Sequence, residues 1–531
     1  MLRSLPRAPT LARLALALCL AASTAAAQLT DVTQAPNAIS AGIKKSLVQQ
    51  VGAGRGDLST PDSSWFLIAR DPFRSIVRGR QLFQRKFTAA QGLGPRFQDG
   101  AGDLDTHAAL GAGLADSCAA CHSRPFGSAG SGGNVFTRPD SRDAPHLFGV
   151  GLKEMLADEI TADLRALRSA ASAKALQQGT PVTVELVAKG IAYGSLIARP
   201  DGTFDTSAVD GVDPDLRVRP LFAHGGTTSI REFVVGALAA EMGLQAVDPD
   251  LTRAALGHDV VTPSGMRLTG SVDAVETPAV DGPAVDGDQD GVTNEVPTSL
   301  VDHLEFYLLN YFRPATGPQT PAARRGRARF EAIGCGACHV PDLLLERDRR
   351  DADVETRFDP EQCNQVYSRL YAKAEGRYDT ADDGSGLPTL KRPRLGTFRV
   401  RDVFTDFKRH DLGQAFHERE FDGTLRMEFL TAPSRRHPRA APYGHDGRSL
   451  TLEDAILRHG GEALAARDAF VQLAEDEREE VIAFLGTLVL FAPPDTPSNL
   501  APTDPAHPLY PLEGHGSVDL SVLFNVPTDK E

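Results

Sequence analysis

Apolar side chains recur at helical spacing in two stretches, one in each half of the chain. Apolar residues at every third or fourth position over 300–311 and 481–488 predict helices that each bury one face. An earlier helix is predicted in each half, where Gly79 precedes Phe83 and Gly326 precedes Phe330 by one helical turn. A small residue lets a second helix cross closely, and the aromatic side chain one turn later fills the crossing. The pattern therefore predicts one pair of crossing helices in each half. The stripes consist of Leu300, Leu304, Tyr307, Leu308 and Tyr311, and of Val481, Phe484, Leu485 and Leu488.

A third apolar helix is predicted in each half, directly after a turn that contains histidine and glycine. In the first half His224 opens the turn and Ser229 follows as a plausible N-cap; in the second half the corresponding residues are His445 and Thr451. The same order of elements thus occurs once in each half. Such a repetition indicates an internal duplication.

An apolar run at the N-terminus predicts export. Residues 14–22 follow three arginines, and the alanines at 25–27 are the small residues that a signal peptidase needs. We therefore expect 1–27 to be a signal peptide, which places the mature protein in the periplasm. The run is short for a bilayer and no later segment reaches about 18 apolar residues, so no transmembrane segment is expected. Cys19 raises the alternative of a lipid-anchored protein. However, a lipoprotein signal has a small residue directly before the cysteine, and this chain has Leu18 there.

The pattern Cys-x-x-Cys-His occurs twice, at 118–122 and 335–339. Two thiols at this spacing form thioether bonds to the vinyl groups of one haem, and the histidine is placed to bind its iron. A thioredoxin-like redox pair or half a zinc site shares the cysteine spacing, but neither requires the histidine or explains the repetition. We therefore predict two covalently bound haem c groups. The predicted attachment residues and proximal iron ligands are Cys118, Cys121 and His122 for the first haem and Cys335, Cys338 and His339 for the second.

We call the Cys-x-x-Cys-His segments at 118–122 and 335–339 the first and second haem strings. Together with the two helix pairs, they predict a mainly α fold made of two class I cytochrome c-like haem domains with long loop insertions. The two haem strings are nearly as far apart in the chain as His224 and His445 are, which supports the internal duplication. The first domain is expected over 28–315 and the second over 316–492, followed by a proline-rich tail over 493–531. The largest predicted insertions, which a minimal cytochrome domain does not need, are 156–213 and 341–384.

The chain is acidic, with 70 aspartates and glutamates against 56 lysines and arginines and a formal net charge of −14. Such a surface repels nucleic acid and attracts a basic electron-donor protein, such as a small cytochrome c or a cupredoxin. Plain solubility explains the charge equally well. Cys363 is the one cysteine left over after export and haem attachment, and a buried structural thiol is its simplest interpretation.

An acidic string near the end of the first half has the spacing of a calcium-binding loop. It reads D-x-D-x-D-G-x-x-N, which places oxygen ligands at alternate positions. Pro297 stands where an EF-hand has its closing glutamate, and Glu295 or Asp302 would have to substitute. An acidic surface turn is the alternative interpretation. The candidate calcium ligands are Asp286, Asp288, Asp290 and Asn294.

Several longer strings resemble a known family. They are Gly-Leu-Gly-Pro at 92–95, Ala-Glu-Met-Gly-Leu at 240–244, His-Asp-Leu-Gly at 410–413, and the strings at 442–448 and 451–463, which begin Pro-Tyr-Gly-His-Asp and Thr-Leu-Glu-Asp. These resemble the bacterial di-haem cytochrome c peroxidases and their relative MauG, above all the di-haem oxidoreductase (putative peroxidase, thiol-oxidoreductase-like) branch. The resemblance covers most of the mature chain outside the insertions and the tail, and it is most specific at the C-terminal end.

The resemblance implies a periplasmic enzyme that reduces hydrogen peroxide. The haem on His122 would be the peroxide site and the haem on His339 the electron relay, with calcium near the interface of the two haem domains. Glu241 and Glu232 are the candidates for the distal acid/base, chosen from position alone. Two other functions stay open: a non-catalytic di-haem electron carrier, and a MauG-like or rubber-oxygenase-like oxidation of a protein or polymer.

The sixth iron ligands are not given by the haem strings themselves. The resembling peroxidases place a methionine, or in MauG a tyrosine, near the position of His459, so His459 is the expected distal ligand of the second haem. A second imidazole would lower the potential of that haem relative to a histidine/methionine pair. For the first haem Met242, His224 and an open position are the alternatives. The rival ligands to His459 are His445, His410 and Met427. The remaining alternative is that His459 is only a surface residue of its helix.

Overall fold

The computed structural model describes residues 47–85, 87, 117–122, 129, 144–276, 278, 294–311, 319–351, 355–358, 370–375, 397–419, 423–431, 443–488 and 516–519. Four predicted features lie wholly or mostly outside these residues: the signal peptide 1–27, the tail 493–531 except for 516–519, the three aspartates of the calcium-like string, and Cys363.

The described helices differ widely in length, from four residues to 29. The 3₁₀ turns Cys335–Ala337 and Gly461–Ala463 supplement them. The helices are α1 (Leu47–Val51), α2 (Ser64–Arg70), α3 (Pro72–Gln84), α4 (Cys118–Cys121), α5 (Val150–Gln178), α6 (Ile230–Met242), α7 (Pro249–Ala255), α8 (Thr298–Asn310), α9 (Pro321–Ala332), α10 (Leu452–Arg458), α11 (Leu464–Gln472) and α12 (Glu475–Leu485).

The strands form small separate sheets of two or three strands. The strands are β1 (Val182–Ala188), β2 (Ile191–Ala198), β3 (Phe204–Asp205), β4 (Asp259–Val261), β5 (Arg267–Thr269), β6 (Leu343–Leu345), β7 (Glu355–Phe358), β8 (Leu370–Glu375), β9 (Phe398–Val400), β10 (Arg409–Asp411), β11 (Glu418–Arg419), β12 (Leu425–Arg426), β13 (Glu428–Leu430) and β14 (Gly516–Asp519). The pairs β4–β5, β6–β9, β10–β13 and β11–β12 are antiparallel. In the larger sheets β1–β2–β3 is antiparallel, and β8 pairs with β7 and, in parallel, with β14.

The prediction of a mainly α chain made of two class I cytochrome c-like domains is wrong. Only 44% of the described residues are helical, and the chain also forms several small sheets. Many of the strands lie in segments that the sequence pattern treated as loop insertions, such as β1–β3 within 156–213 and β6–β8 within 341–384. Strands as short as most of these cannot show an alternating apolar pattern, so helical periodicity alone was visible in the sequence.

The two predicted helix pairs are present, and a glycine permits each crossing. Helix α3 packs against α8 at Gly79, where a Cβ atom would overlap the carbonyl oxygen of His303. Helix α9 packs against α12 at Gly326, where a Cβ atom would overlap the carbonyl oxygen of Glu480. Because backbone atoms cannot move aside as a side chain can, neither position accepts alanine without separating the helices.

Each of the two helix pairs forms part of its own apolar core. The larger core contains the α3–α8 crossing and also takes residues from after the predicted boundary at 315/316, among them Leu343 and Leu345. The smaller core surrounds the α9–α12 crossing. The cores meet at 403–407, since Val403 and Phe407 belong to the first and Phe404 to the second. The boundary at 315/316 stays a prediction.

A buried ionic network fixes helix α6 against α8. The guanidinium group of Arg231 is fully buried and lies 2.6 Å from a carboxylate oxygen of Asp248. It also donates to Asp302 and Glu305 on α8, at 2.8 Å each. Since three carboxylates surround one cation, removing the arginine would leave buried charges without compensation. The network orients α6, the helix that carries Glu241 and Met242.

None of the helices in the described part of the chain combines the length and the apolar character that crossing a bilayer requires.

Candidate haem-binding sites

The first haem string is a single capped helical turn. Ser117 is the N-cap of α4, and its hydroxyl accepts a hydrogen bond from Ala120 N at 3.1 Å. Burial raises the pKa of the Cys118 thiol to about 12. His122 follows as the C-cap, with Nδ1 2.9 Å from the carbonyl oxygen of Pro145. A histidine that donates Nδ1–H to a carbonyl keeps the lone pair on Nε2, where it can bind a metal.

The second haem string holds its histidine in the same manner. His339 Nδ1 lies 3.2 Å from the carbonyl oxygen of Phe404. Burial, reinforced by the nearby charge of His459, lowers the pKa of His339 to about 4, so the ring is neutral as an iron ligand must be. The ring of Phe330 lies 6.0 Å from that of His339 at 51°, and Phe83 lies 6.3 Å from His122 at 55°. The two histidines therefore have matching environments.

The donor groups at both strings fit a covalently bound haem. All four cysteines are free of disulfide bonds, and each pair is followed by a histidine with Nδ1 bonded to a carbonyl oxygen. The thiols suit the two thioether bonds, and Nε2 of each histidine suits the iron.

The structure corrects the register of the internal duplication. An antiparallel backbone bridge joins the first and last residues of each histidine-glycine turn, which spans 221–227 in the first half and 443–449 in the second. Helices α6 and α10 each begin three residues after the closing residue of their turn. In this register His224 is equivalent to Asp446. It is not equivalent to His445, so the two histidines do not occupy matching positions.

In this register the expected distal ligand His459 has no histidine counterpart in the first half. His459, the C-cap of α10, is equivalent to Ala237 in the middle of α6. Gly236 beside it is exposed, and a Cβ atom there would contact nothing within 4 Å. Met242 lies at the end of α6, 2% exposed, in the apolar core with Leu238 one turn earlier. The position in the first half that corresponds to His459 therefore holds a small residue.

The imidazole of His459 is oriented for metal binding. Its Nδ1 lies 2.7 Å from the carbonyl oxygen of Ala455, one turn earlier, which leaves Nε2 as the ligating nitrogen. Burial lowers the pKa of His459 and favours the neutral ring. The ring of Phe416 packs edge-on against it at 5.3 Å. Because the charge of His459 also lowers the pKa of His339, the two histidines lie within electrostatic range of each other.

The rivals of His459 differ in how far their ligating atoms are engaged in other contacts. Both ring nitrogens of His410 are bonded to carboxylate oxygens. His445 stacks on Phe429 with a ring separation of 3.6 Å, and its Nε2 lies 3.5 Å from a carboxylate oxygen of Glu418. Met427 is 46% exposed. For the first site, the ring of His224 stacks on a neighbouring phenylalanine ring at 6.0 Å.

The two candidate distal acids have different environments. Glu232 caps the turn before α6: one carboxylate oxygen accepts hydrogen bonds from Thr228 N at 2.7 Å and Thr228 Oγ1 at 2.8 Å. Glu241 lies one turn after Ala237, on the same face of α6. Its Oε2 atom is buried and has no hydrogen-bond partner among the described residues. Glu241 is therefore the carboxylate that is available to a ligand.

In the predicted calcium-binding loop, the described candidate ligand Asn294 and the possible closing residues Glu295 and Asp302 all contact other protein groups. Asn294 Oδ1 accepts a hydrogen bond from Val247 N at 3.1 Å. Glu295 accepts one from Gln245 N at 2.5 Å, and Asp302 belongs to the Arg231 network. Calcium binding stays a prediction.

Sequence reasoning missed the carbonyl oxygens of Pro145 and Phe404, which orient the two proximal histidines. Both carbonyls belong to residues far along the chain from the haem strings, and a backbone acceptor leaves no signature in residue type. The paired carboxylates on His410 were also missed. Asp406 and Glu462 are distant from each other in the sequence and read as ordinary polar positions.

Comparison with known proteins gives one family match. Residues 403–488 match the family model described as "Di-haem oxidoreductase, putative peroxidase". No curated protein matches the chain. The matched segment contains Phe404, His410, His445 and His459, so it covers the carbonyl acceptor and the distal side of the second site. Residues 403–488 are thus similar to the di-haem oxidoreductase, putative peroxidase family, which agrees with the family resemblance predicted from the sequence.

Proposed function

We propose that the protein is a periplasmic di-haem c-type oxidoreductase that reduces hydrogen peroxide with electrons relayed between two covalently bound haems. The observation that carries the proposal is the difference between two duplicated sites. One has His459 on its distal side, whereas the other has Ala237 and a buried Oε2 of Glu241 without a hydrogen-bond partner among the described residues. An enzyme that must bind peroxide at one iron and pass electrons through the other needs this asymmetry.

The chain holds both haems with the same set of groups. Cys118 and Cys121 attach the first haem, and the equivalent cysteines of the second string attach the second. His122 Nε2 and His339 Nε2 are the proximal ligands, each held by the carbonyl that accepts its Nδ1–H. When bound, the haems supply iron that exchanges single electrons and, where its sixth position is open, coordinates a small oxidant.

At the first haem, Glu241 acts as the distal acid/base. With haem bound there, Glu241 Oε2 would accept a proton from one oxygen of hydrogen peroxide and donate it to the other, which would leave as water while the haem supplies the two electrons for cleavage of the O–O bond. Ala237 stands one turn before Glu241 on the same face of α6 and presents only a methyl group there. Met242 stays in the apolar core.

His459 Nε2 would hold the sixth ligand position of the second haem, and that haem would then relay electrons without binding substrate. A pair of imidazoles lowers the potential of the iron relative to a histidine/methionine pair. The electrons come from a small soluble donor such as a cytochrome c or a cupredoxin, which the acidic charge of the chain would attract if the donor is basic.

Electron paramagnetic resonance on the oxidised and half-reduced protein, combined with peroxide consumption, tests this function. We expect one low-spin signal typical of two histidine ligands, which His459→Ala removes, and a second iron that binds peroxide or cyanide directly. The half-reduced protein should consume peroxide with a reduced donor. Two irons that stay six-coordinate in every redox state, with no peroxide consumption, would instead identify a non-catalytic electron carrier.

A further inference from the structure

His410 lies between two carboxylates beside the second haem string. The residue is 5% exposed; Nδ1 is 2.7 Å from Glu462 Oε2, and Nε2 is 2.9 Å from Asp406 Oδ2. Burial opposes charge on the ring, but its bonds to Asp406 and Glu462 raise the pKa of His410. With a carboxylate oxygen at each ring nitrogen, the ring bridges the two side chains and offers no nitrogen to iron.

One end of this bridge is the segment that holds the proximal ligand. Asp406 lies two residues after Phe404, whose carbonyl oxygen accepts the Nδ1–H of His339. The carbonyl oxygen of Asp406 accepts a hydrogen bond from Tyr193 OH at 2.8 Å, and the side chain of Tyr193 is fully buried. Three residues in this stretch that are not glycine have positive φ, Asp402 at 55°, Phe404 at 48° and Phe407 at 59°. Contacts on both sides must hold such a backbone in place.

The other end of the bridge is the loop that carries the distal ligand. Glu462 lies three residues after His459, and its second carboxylate oxygen accepts a hydrogen bond from Asp411 N at 2.9 Å. Gly460 N donates to the carbonyl oxygen of Leu412 at 2.9 Å. A Cβ atom on the glycine at 461 would overlap the carbonyl oxygen of Asp411, so the two loops lie in direct backbone contact. The position of His459 is thereby fixed against residues 410–413.

We propose that His410 is a positioning residue that ties the loop of the distal ligand His459 to the segment that holds the proximal ligand His339. It thus sets how firmly the second iron keeps its sixth ligand. This inference rests on the proposed function, in which both histidines bind that iron. Without the bridge, Asp406 and Glu462 face each other as like charges and push the two segments apart, so His459 leaves the iron more readily.

Cyanide binding to the purified protein with both haems attached tests the proposal. Cyanide displaces His459 at the second haem, and electron paramagnetic resonance distinguishes that haem from the first one, which fills at lower cyanide. In His410→Gln we expect the apparent dissociation constant for cyanide at the second haem to fall at least about tenfold, the lower end for loss of a group that orients a metal ligand. The first haem should bind cyanide as in the wild type.

His417→Gln is the matched control. His417 is bonded to Asp411 on the same loop, with Nε2 2.7 Å from Asp411 Oδ1, but it does not join the two segments. We expect this variant to bind cyanide like the wild type. If His410→Gln does not load haem, Glu462→Ala replaces it, because that change removes the acceptor of His410 Nδ1 on a half-exposed side chain and leaves the bond between His410 and Asp406 in place.

The outcomes separate this inference from the function on which it rests. Unchanged cyanide affinity in both His410→Gln and Glu462→Ala, with His459→Ala losing the bis-histidine signal, would refute the positioning role alone. A wild-type signal that survives His459→Ala would overturn the ligand assignment and the positioning role together. Tighter cyanide binding in the His410 and Glu462 variants but not in the His417 variant supports both.

Discussion

Replacing Glu241 by glutamine is expected to lower the rate of peroxide reduction by about 100- to 10,000-fold, the range for loss of a general acid/base. Glutamine keeps the size of the side chain but cannot carry a proton between the two peroxide oxygens. The Oε2 atom of Glu241 is buried and has no protein partner among the described residues, so the substitution breaks no hydrogen bond of that atom in that part of the chain. Haem content and the electron paramagnetic resonance signal of the second haem should therefore stay unchanged while turnover falls.

The control for this prediction is Glu232→Gln, on the same helix. The carboxylate of Glu232 accepts hydrogen bonds from the backbone and hydroxyl of Thr228, so its loss weakens the turn before α6. We expect lower stability and unchanged peroxide turnover per bound haem. Normal turnover in Glu241→Gln would show that another group, or solvent, moves the proton.

Replacing Arg231 by methionine is expected to cost about 3–5 kcal/mol of the free energy of unfolding, as removal of one partner from a buried ionic network generally does. The guanidinium is fully buried and serves Asp248, Asp302 and Glu305 at 2.6–2.8 Å. Methionine fills much of the same volume but leaves Asp248 and Glu305 without their ion-pair partner, while Asp302 keeps the guanidinium of Arg55 at 3.5 Å. A guanidinium chloride titration should show a lower midpoint and an unchanged slope.

Arg325→Met is the control for this experiment. The side chain of Arg325 is 58% exposed and pairs with Glu480 on the surface, so its replacement should leave the midpoint unchanged. Wild-type stability in Arg231→Met would mean that the network contributes no net stability and that the carboxylates are accommodated in another way.

The parts of the fold that the sequence predicted are those that local patterns determine. The crossing helices could be predicted because Gly79 and Gly326 each stand one turn before a phenylalanine, in stretches long enough to show helical periodicity. The fold class was mispredicted because strands such as Leu343–Leu345 and Arg409–Asp411 are very short and pair with segments outside their own local stretch of chain. No periodicity reveals such pairs.

In the candidate sites, too, only the features that depend on local sequence could be predicted. The two haem strings were visible because attachment chemistry requires fixed local spacing. The difference between the distal sides was not, because it depends on a register in which His224 matches Asp446, and the neighbouring His445 conceals that register in the sequence. With the corrected register, His459 corresponds to Ala237. The bridge at His410 joins residues that are distant in sequence, so only the folded structure reveals it.

The measurement that tests the central claim most directly is the mass of the mature protein, made in a host that attaches c-type haem, together with the masses of its proteolytic peptides. The account predicts an intact mass that exceeds the polypeptide by two haem groups, with one haem on the peptide containing 118–122 and one on the peptide containing 335–339. A mass equal to the bare polypeptide, without Soret absorption, would contradict it.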